Sequence, residues 1–158
     1  MPTIQLQTFI QAPKAVCFDL SRSIDLHVKS TAHTGERAIA GRTSGFIELG
    51  ETVTWRAKHL GIWQNLTTQI TEFKYPDYFV DEMVSGAFQS FRHEHYFKNT
   101  ATGTTMTDVF TFISPLGWLG ELTNALFLTS YMRRLLEKRN QVIKGTAESI
   151  ADKTGKKF

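Results

Sequence analysis

A single cysteine, Cys17, excludes any internal disulfide. Cysteine that scarce points to a reducing, cytoplasmic setting, and no basic start followed by an apolar signal segment speaks against it. Long apolar runs are missing too. The most apolar window, Leu116 to Met132, is broken by Gly117, Gly120, Glu121 and Asn124, so it does not read as a membrane span. Charge of one sign is modest. A net +3 over 158 residues is too small to argue for nucleic acid. Phosphate-binding loops, dinucleotide fingerprints and zinc-finger spacings are absent as well. The expectation is no cofactor and no metal.

What the chain does have is phenylalanine, with 12 copies against 4 tyrosines and 3 tryptophans. Those rings must pack in a core, around a cavity, or both. At this length one domain suffices, and it needs no staple. Basic charge gathers at the end: residues 132–158 hold eight Lys and Arg against Glu137, Glu148 and Asp152. That reads as the solvated face of a terminal helix inside a domain spanning 1–150, followed by a frayed tail over 151–158. Weak contact with anionic lipid head groups is the alternative for that charge.

Periodicity orders the elements. Thr3 to Ile10 alternates as a strand with one wetter face. Pro13 opens a short helix carrying Val16, Cys17 and Leu20, and a second short helix covers Ile24 to Ser30. Glu36–Ala40 and Gly45–Leu49 are strand candidates. Clearer strands follow at Thr52–His59, Trp63–Phe73, Tyr78–Val84, Phe88–Phe97 and Met106–Ser114. The longest helical pattern comes last, with Leu122, Leu126, Met132, Leu135, Leu136, Val142 and Ile143 near helical spacing, and Gly145 as a bend or end. Consecutive antiparallel strands this numerous must curl, and a long amphipathic helix must bury its stripe against their concave face.

This order resembles the helix-grip fold of the START and Bet v 1-like superfamily: an α+β fold with a curved antiparallel sheet of about seven strands around a C-terminal helix. The middle of the chain, in Gly50-Glu51-Thr52-Val53-Thr54-Trp55-Arg56-Ala57-Lys58-His59-Leu60-Gly61, Phe79-Val80-Asp81-Glu82, His93-Glu94-His95-Tyr96-Phe97 and Gly103-Thr104-Thr105-Met106-Thr107-Asp108, is similar to small bacterial members. These are called ligand-binding START-related proteins or, loosely, cell division inhibitors. The resemblance implies a cavity between sheet and helix. It does not supply a ligand, because the superfamily hosts many roles.

Polar groups on the strands mark candidates for that cavity. A two-residue turn at Ser85-Gly86 would pair Tyr78 with His93 and put Tyr78, Phe91, His93 and His95 on one face. Matching the large apolar groups of the next strand sets Phe112 beside Phe91, Phe110 beside His93, and Asp108 beside His95. A His95–Asp108 pair inside the grip follows. It reads as a buried polar ladder, as a group orienting a ligand's polar end, or as an acid/base or metal-binding pair. A His-x-His pair can present two imidazoles to one ion, but the pattern identifies no third ligand. No catalytic residue is therefore assigned.

Trp55 and His59 share a face of their strand, and Trp63 follows a turn at Gly61, where a large ring covers an opening or packs on a loop. Trp118 lies between two glycines at the start of the last helix, either a plain junction or a lid. The expected ligand-binding set is Trp55, His59, Trp63, Tyr78, Phe91, His93, His95, Asp108, Phe110, Phe112 and Trp118, with Leu122, Leu126 and Met132 from the helix. The expected partner is a small hydrophobic or amphipathic molecule. Alternatives are a cyclase-like or hydrolytic enzyme using His95–Asp108, and a module whose groove receives a protein.

Overall fold

A computed structural model describes residues 1–114 and 121–155, with side chains of the last helix from Leu126 onward. Seven strands form one antiparallel sheet: β1 (Thr3–Ile10), β2 (Arg37–Gly41), β3 (Thr52–His59), β4 (Ile62–Lys74), β5 (Tyr78–Ser85), β6 (Ser90–Thr100) and β7 (Gly103–Ile113). Their spatial order is β1-β7-β6-β5-β4-β3-β2. Two short helices, α1 (Lys14–Ser21) and α2 (Ile24–Ser30), follow β1, and α3 (Glu121–Thr154) closes the chain. The fold is thus α+β, with a curved sheet, two short helices and a long C-terminal helix, as expected.

Local chemistry explains the elements. In β7 the even positions Thr104, Met106, Asp108, Phe110 and Phe112 are all buried, the period-2 pattern of a strand with one core face. The β3–β4 hairpin turns on Leu60 and Gly61, at φ of 52° and 82°. Two positive φ values in a two-residue loop give the turn twist that matches paired strands. Ser23 caps α2 by accepting a hydrogen bond from the Leu26 amide at 3.2 Å, worth about 1 kcal/mol relative to alanine.

Three local expectations change. Gly45–Leu49 is not a strand: it makes an isolated β-bridge, Ser23 to Phe46, and buries Ile47 in the core. Gly145 does not end the helix, and α3 runs on to Thr154. The break expected at 151 falls inside α3, where Ala147 and Ala151 are buried.

The apolar interior is divided. One cluster joins α1, α2 and the far end of α3 to the sheet through Phe18, Phe79, Phe97, Ile143, Ala147 and Ala151. Phe18 is its hub, with the rings of Phe73, Phe79 and Phe97 each about 5 Å away. A second, smaller cluster holds Ile4, Phe91, Phe110, Phe112 and Leu136, with Leu128 and Met132 packed against it.

Candidate functional site

A cavity of about 440 Å³ is enclosed by the sheet, α2 and α3. Such a volume falls within the range of small-molecule pockets. Val53, Trp55, Ala57, Leu66, Ile70, Phe79, Phe91 and Phe110 line it from the sheet, and Leu128, Met132, Leu135 and Leu136 from the helix. Most of the wall is apolar, and two sets of polar groups stand out in it.

The first is a buried cluster on the floor, built across β5, β6, β7 and α3. Antiparallel register sets Phe79 opposite His95 and Asp81 opposite His93. It also sets His95 opposite Asp108 and His93 opposite Phe110. Asp108 has no exposed surface. Its Oδ1 accepts from His93 Nε2 at 3.0 Å and from Arg139 Nη1 at 3.4 Å. Its Oδ2 accepts from Asn140 Nδ2 at 2.7 Å. Arg139 also donates to the Ser21 carbonyl and to Asn140 Oδ1. His95 Nε2 lies 3.1 Å from Asp81 Oδ2. His95 Nδ1 is 3.0 Å from Asp108 Oδ1, yet it is out of line for a hydrogen bond. It is the sole buried side-chain nitrogen or oxygen without one among the described residues.

Electrostatics follow from this packing. Burial would raise the Asp108 carboxyl, but the hydrogen bond from His93, the His95 imidazole 3.0 Å away and the Arg139 charge hold it well below the usual range. Asp81 is lowered against the same burial cost, chiefly by His95. Burial and the neighbouring His95 push His93 down, despite its bond to Asp108. For His95 burial also acts downward, and the two carboxylates Asp108 and Asp81 outweigh it and raise the imidazole. The two imidazoles are thus driven apart, and His95, between two carboxylates, is the one whose charged form the cluster favours. Because Asp108 is ionised and can only accept, the His93 proton sits on Nε2.

The second polar group lies toward the opening. Tyr131 Oη and His59 Nδ1 are 2.8 Å apart, and burial lowers the His59 imidazole. His27 stacks on Trp55 at 4.2 Å between centroids and reaches Glu36 Oε2 at 3.2 Å. Burial would raise Glu36, but His27 holds it low. Leu60 and Phe127 line the cavity yet are largely exposed, which sets the mouth at this end.

Of the residues expected from sequence, Trp55, His59, Phe91, His93, His95, Phe110 and Met132 line the cavity. Asp108 sits beneath it, held by His93 and Asn140. Phe112 is buried in the smaller core cluster and does not reach the wall. Tyr78 points outward: it pairs with Tyr96, stacks on it at 5.5 Å, and donates to Glu72. Trp63 is half exposed on the outer surface, against Gly35 and the Arg56 guanidinium. Leu126 is 76% exposed, turned away from the cavity by its place on α3. Trp118 and the Leu122 side chain lie outside the described residues. Cys17 is buried, which pushes its thiol up to about 11 and removes it as a nucleophile.

Sequence reasoning missed Asp81, Arg139 and Asn140. Asp81 shares the His93 and His95 face in place of Tyr78 because the β5–β6 connection is longer than the two-residue turn at Ser85-Gly86: β5 ends at Ser85 and β6 begins at Ser90. The pairing therefore slips by three, and an odd slip exchanges the faces of β5. Two adjacent polar residues at 139 and 140, breaking the apolar stripe between Leu136 and Ile143, were the available signal for the helix partners.

No family model matches this chain, and no curated protein matches it in sequence. Solved structures do. TTHA0849 from Thermus thermophilus superposes with a TM-score of 0.71 at 14% identity, covering 92% of this chain and 99% of that one. Major latex-like protein 151 from Panax ginseng gives 0.66 at 16%, covering 92% and 97%. The di-domain ARO/CYC StfQ of the steffimycin biosynthetic pathway gives 0.72 at 16%, covering 95% of this chain and 51% of that one. The chain has the helix-grip fold of Bet v 1-like proteins.

Proposed function

We propose that this protein binds a small, mostly apolar molecule carrying a polar end, held between the sheet and α3. The observation behind the reading is the cavity of about 440 Å³, walled mostly by apolar side chains, with Asp81, His93 and His95 on its floor and His59 and Tyr131 toward its mouth. A ligand burying about 300 Å² of apolar surface gains roughly 7–8 kcal/mol before association costs of about 4 kcal/mol or more. Orientation comes from the polar ends, with Asp81, His93 and His95 at the floor and His59 and Tyr131 at the mouth.

Catalysis by a His95–Asp108 pair has less support. The pair is in contact, but both His95 nitrogens face carboxylates, so Asp81 must yield before His95 can meet a substrate. The fold neighbour StfQ, an ARO/CYC protein, keeps that reading open by likeness of fold alone.

Native mass spectrometry of the purified protein, with organic extraction of any bound molecule, tests binding. In parallel, an apolar fluorescent dye is titrated into the parent and into Ala57→Phe, whose ring enters the cavity from β3. We expect the parent to bind the dye and the variant to lose at least tenfold in affinity, with Tm changed by only a few degrees. Equal dye affinity in a folded Ala57→Phe would remove the cavity as the binding site.

A further inference from the structure

We propose that Asp81, His93 and His95 form a site for one divalent first-row transition-metal ion, open toward the cavity. This goes beyond small-molecule binding and does not depend on it.

One nitrogen from each imidazole and one oxygen of Asp81 all lie within 4.8 Å of one another. The tightest pair, His95 Nε2 and Asp81 Oδ2, is 3.1 Å apart. Two donors each about 2.1 Å from one ion are separated by roughly 3.0–3.4 Å, from octahedral to tetrahedral angles. The pair therefore stands at the spacing of neighbouring ligands of one ion. A two-nitrogen, one-carboxylate donor set suits zinc or iron(II) rather than calcium or magnesium.

The layer behind the donors is built already. Imidazoles that bind metal pass their other N–H to a carboxylate, which fixes tautomer and ring angle. Asp108 lies 3.0 Å from His93 Nε2 and 3.0 Å from His95 Nδ1. It is itself held by Asn140 and Arg139. The unsatisfied Nδ1 of His95 gains an aligned partner by a small ring rotation, which a bond at Nε2 would set. Asp81, His93 and His95 all line the cavity, so the remaining coordination positions face open space. An oxygen donor from water or from a cavity ligand can fill them. On binding, the ion replaces the proton between His95 and Asp81, and that proton goes to solvent.

The experiment uses untagged full-length protein stripped with chelator, then titrated with Co²⁺ while visible absorption is recorded. The expected result is d–d bands that saturate at one ion per chain. Asp81→Asn, at a partly exposed position, and His93→Gln should each weaken binding at least tenfold, whereas His27→Gln at the mouth should not. In case either floor variant fails to fold, the parent is also titrated with Zn²⁺ while its imidazole NMR signals are followed. Shifts at His93 and His95 ahead of His27, His33 and His59 support the site. A featureless, non-saturating Co²⁺ titration would overturn the proposal. So would undiminished binding by folded Asp81→Asn, or Zn²⁺ shifts that begin at His27 or His59.

Discussion

Asp108→Asn is the substitution that most sharply tests the floor cluster. Every group bonded to Asp108 is a donor: His93 Nε2 and Arg139 Nη1 on Oδ1, Asn140 Nδ2 on Oδ2. An asparagine there turns one acceptor into an NH₂ that must face one of those donors, whichever way it flips. It also leaves Asp81 as the sole carboxylate beside Arg139 and His95. Breaking a buried ionic cluster from one side costs about 3–5 kcal/mol. At roughly 2 kcal/mol per molar urea for a domain of this size, the unfolding midpoint should fall by roughly 1.5–2.5 M. Exchanging the two groups, Asp108→Asn with Asn140→Asp, returns a carboxylate to the cluster and should recover at least half of the loss. The acid limb should change as well. A carboxyl held low by folding adds stability that is present above its ordinary value of 3.8 and lost as pH falls through its folded value. Asp108→Asn should therefore flatten that limb. A single variant whose midpoint stays within about 0.3 M of the parent would refute the account of Asp108 as a buried, charge-bearing acceptor.

The two floor histidines should titrate apart when followed by imidazole NMR, His95 above the ordinary 6.5 and His93 below it. His95 then adds stability that is complete below 6.5 and lost as pH rises through its folded value, and His93 acts in the opposite sense. Coincident midpoints near 6.5 would contradict the placement of His95 between two carboxylates. Along α3, amide exchange should be slowest around Ile143–Ala151 and faster over residues 126–136, because the larger cluster holds the former. Uniform protection would show that the cavity does not loosen the helix above it.

The fold was legible because its cues are local. Alternation along β7 and β6 comes from phenylalanines at 91, 97, 110 and 112. Matching those rings set His95 beside Asp108 in the register that the structure has. The neighbouring pairing failed on the connection after Ser85, where a four-residue loop stands in place of a two-residue turn. That single difference puts Asp81, not Tyr78, on the face of His93 and His95. Loop length is set by how the hairpin sits against the rest of the sheet, which a Ser-Gly pair does not encode. The helix contribution was readable as a stripe but not as a phase. Leu126 fits the spacing and is exposed, whereas Arg139 breaks the spacing and is buried. Which turn of α3 lies over which strand is decided by tertiary packing of Ile143, Ala147 and Ala151.

The division of the apolar interior gives α3 a mechanical character. Its second half is clamped by Ile143, Ala147 and Ala151 against the larger cluster, and its first half spans an empty space on Leu128, Met132 and Leu136. The helix is a cantilever: a stiff beam fixed at one end and lightly propped at the other. A small bend at the clamp would displace the arm over the mouth more than the clamped half, so a molecule of the proposed kind would be accommodated by α3 before the sheet had to rearrange. The polar cluster at Arg139 and Asn140 sits beside the clamp, where deflection is least. One continuous helix thus carries both the anchor in the larger cluster and the roof over the cavity.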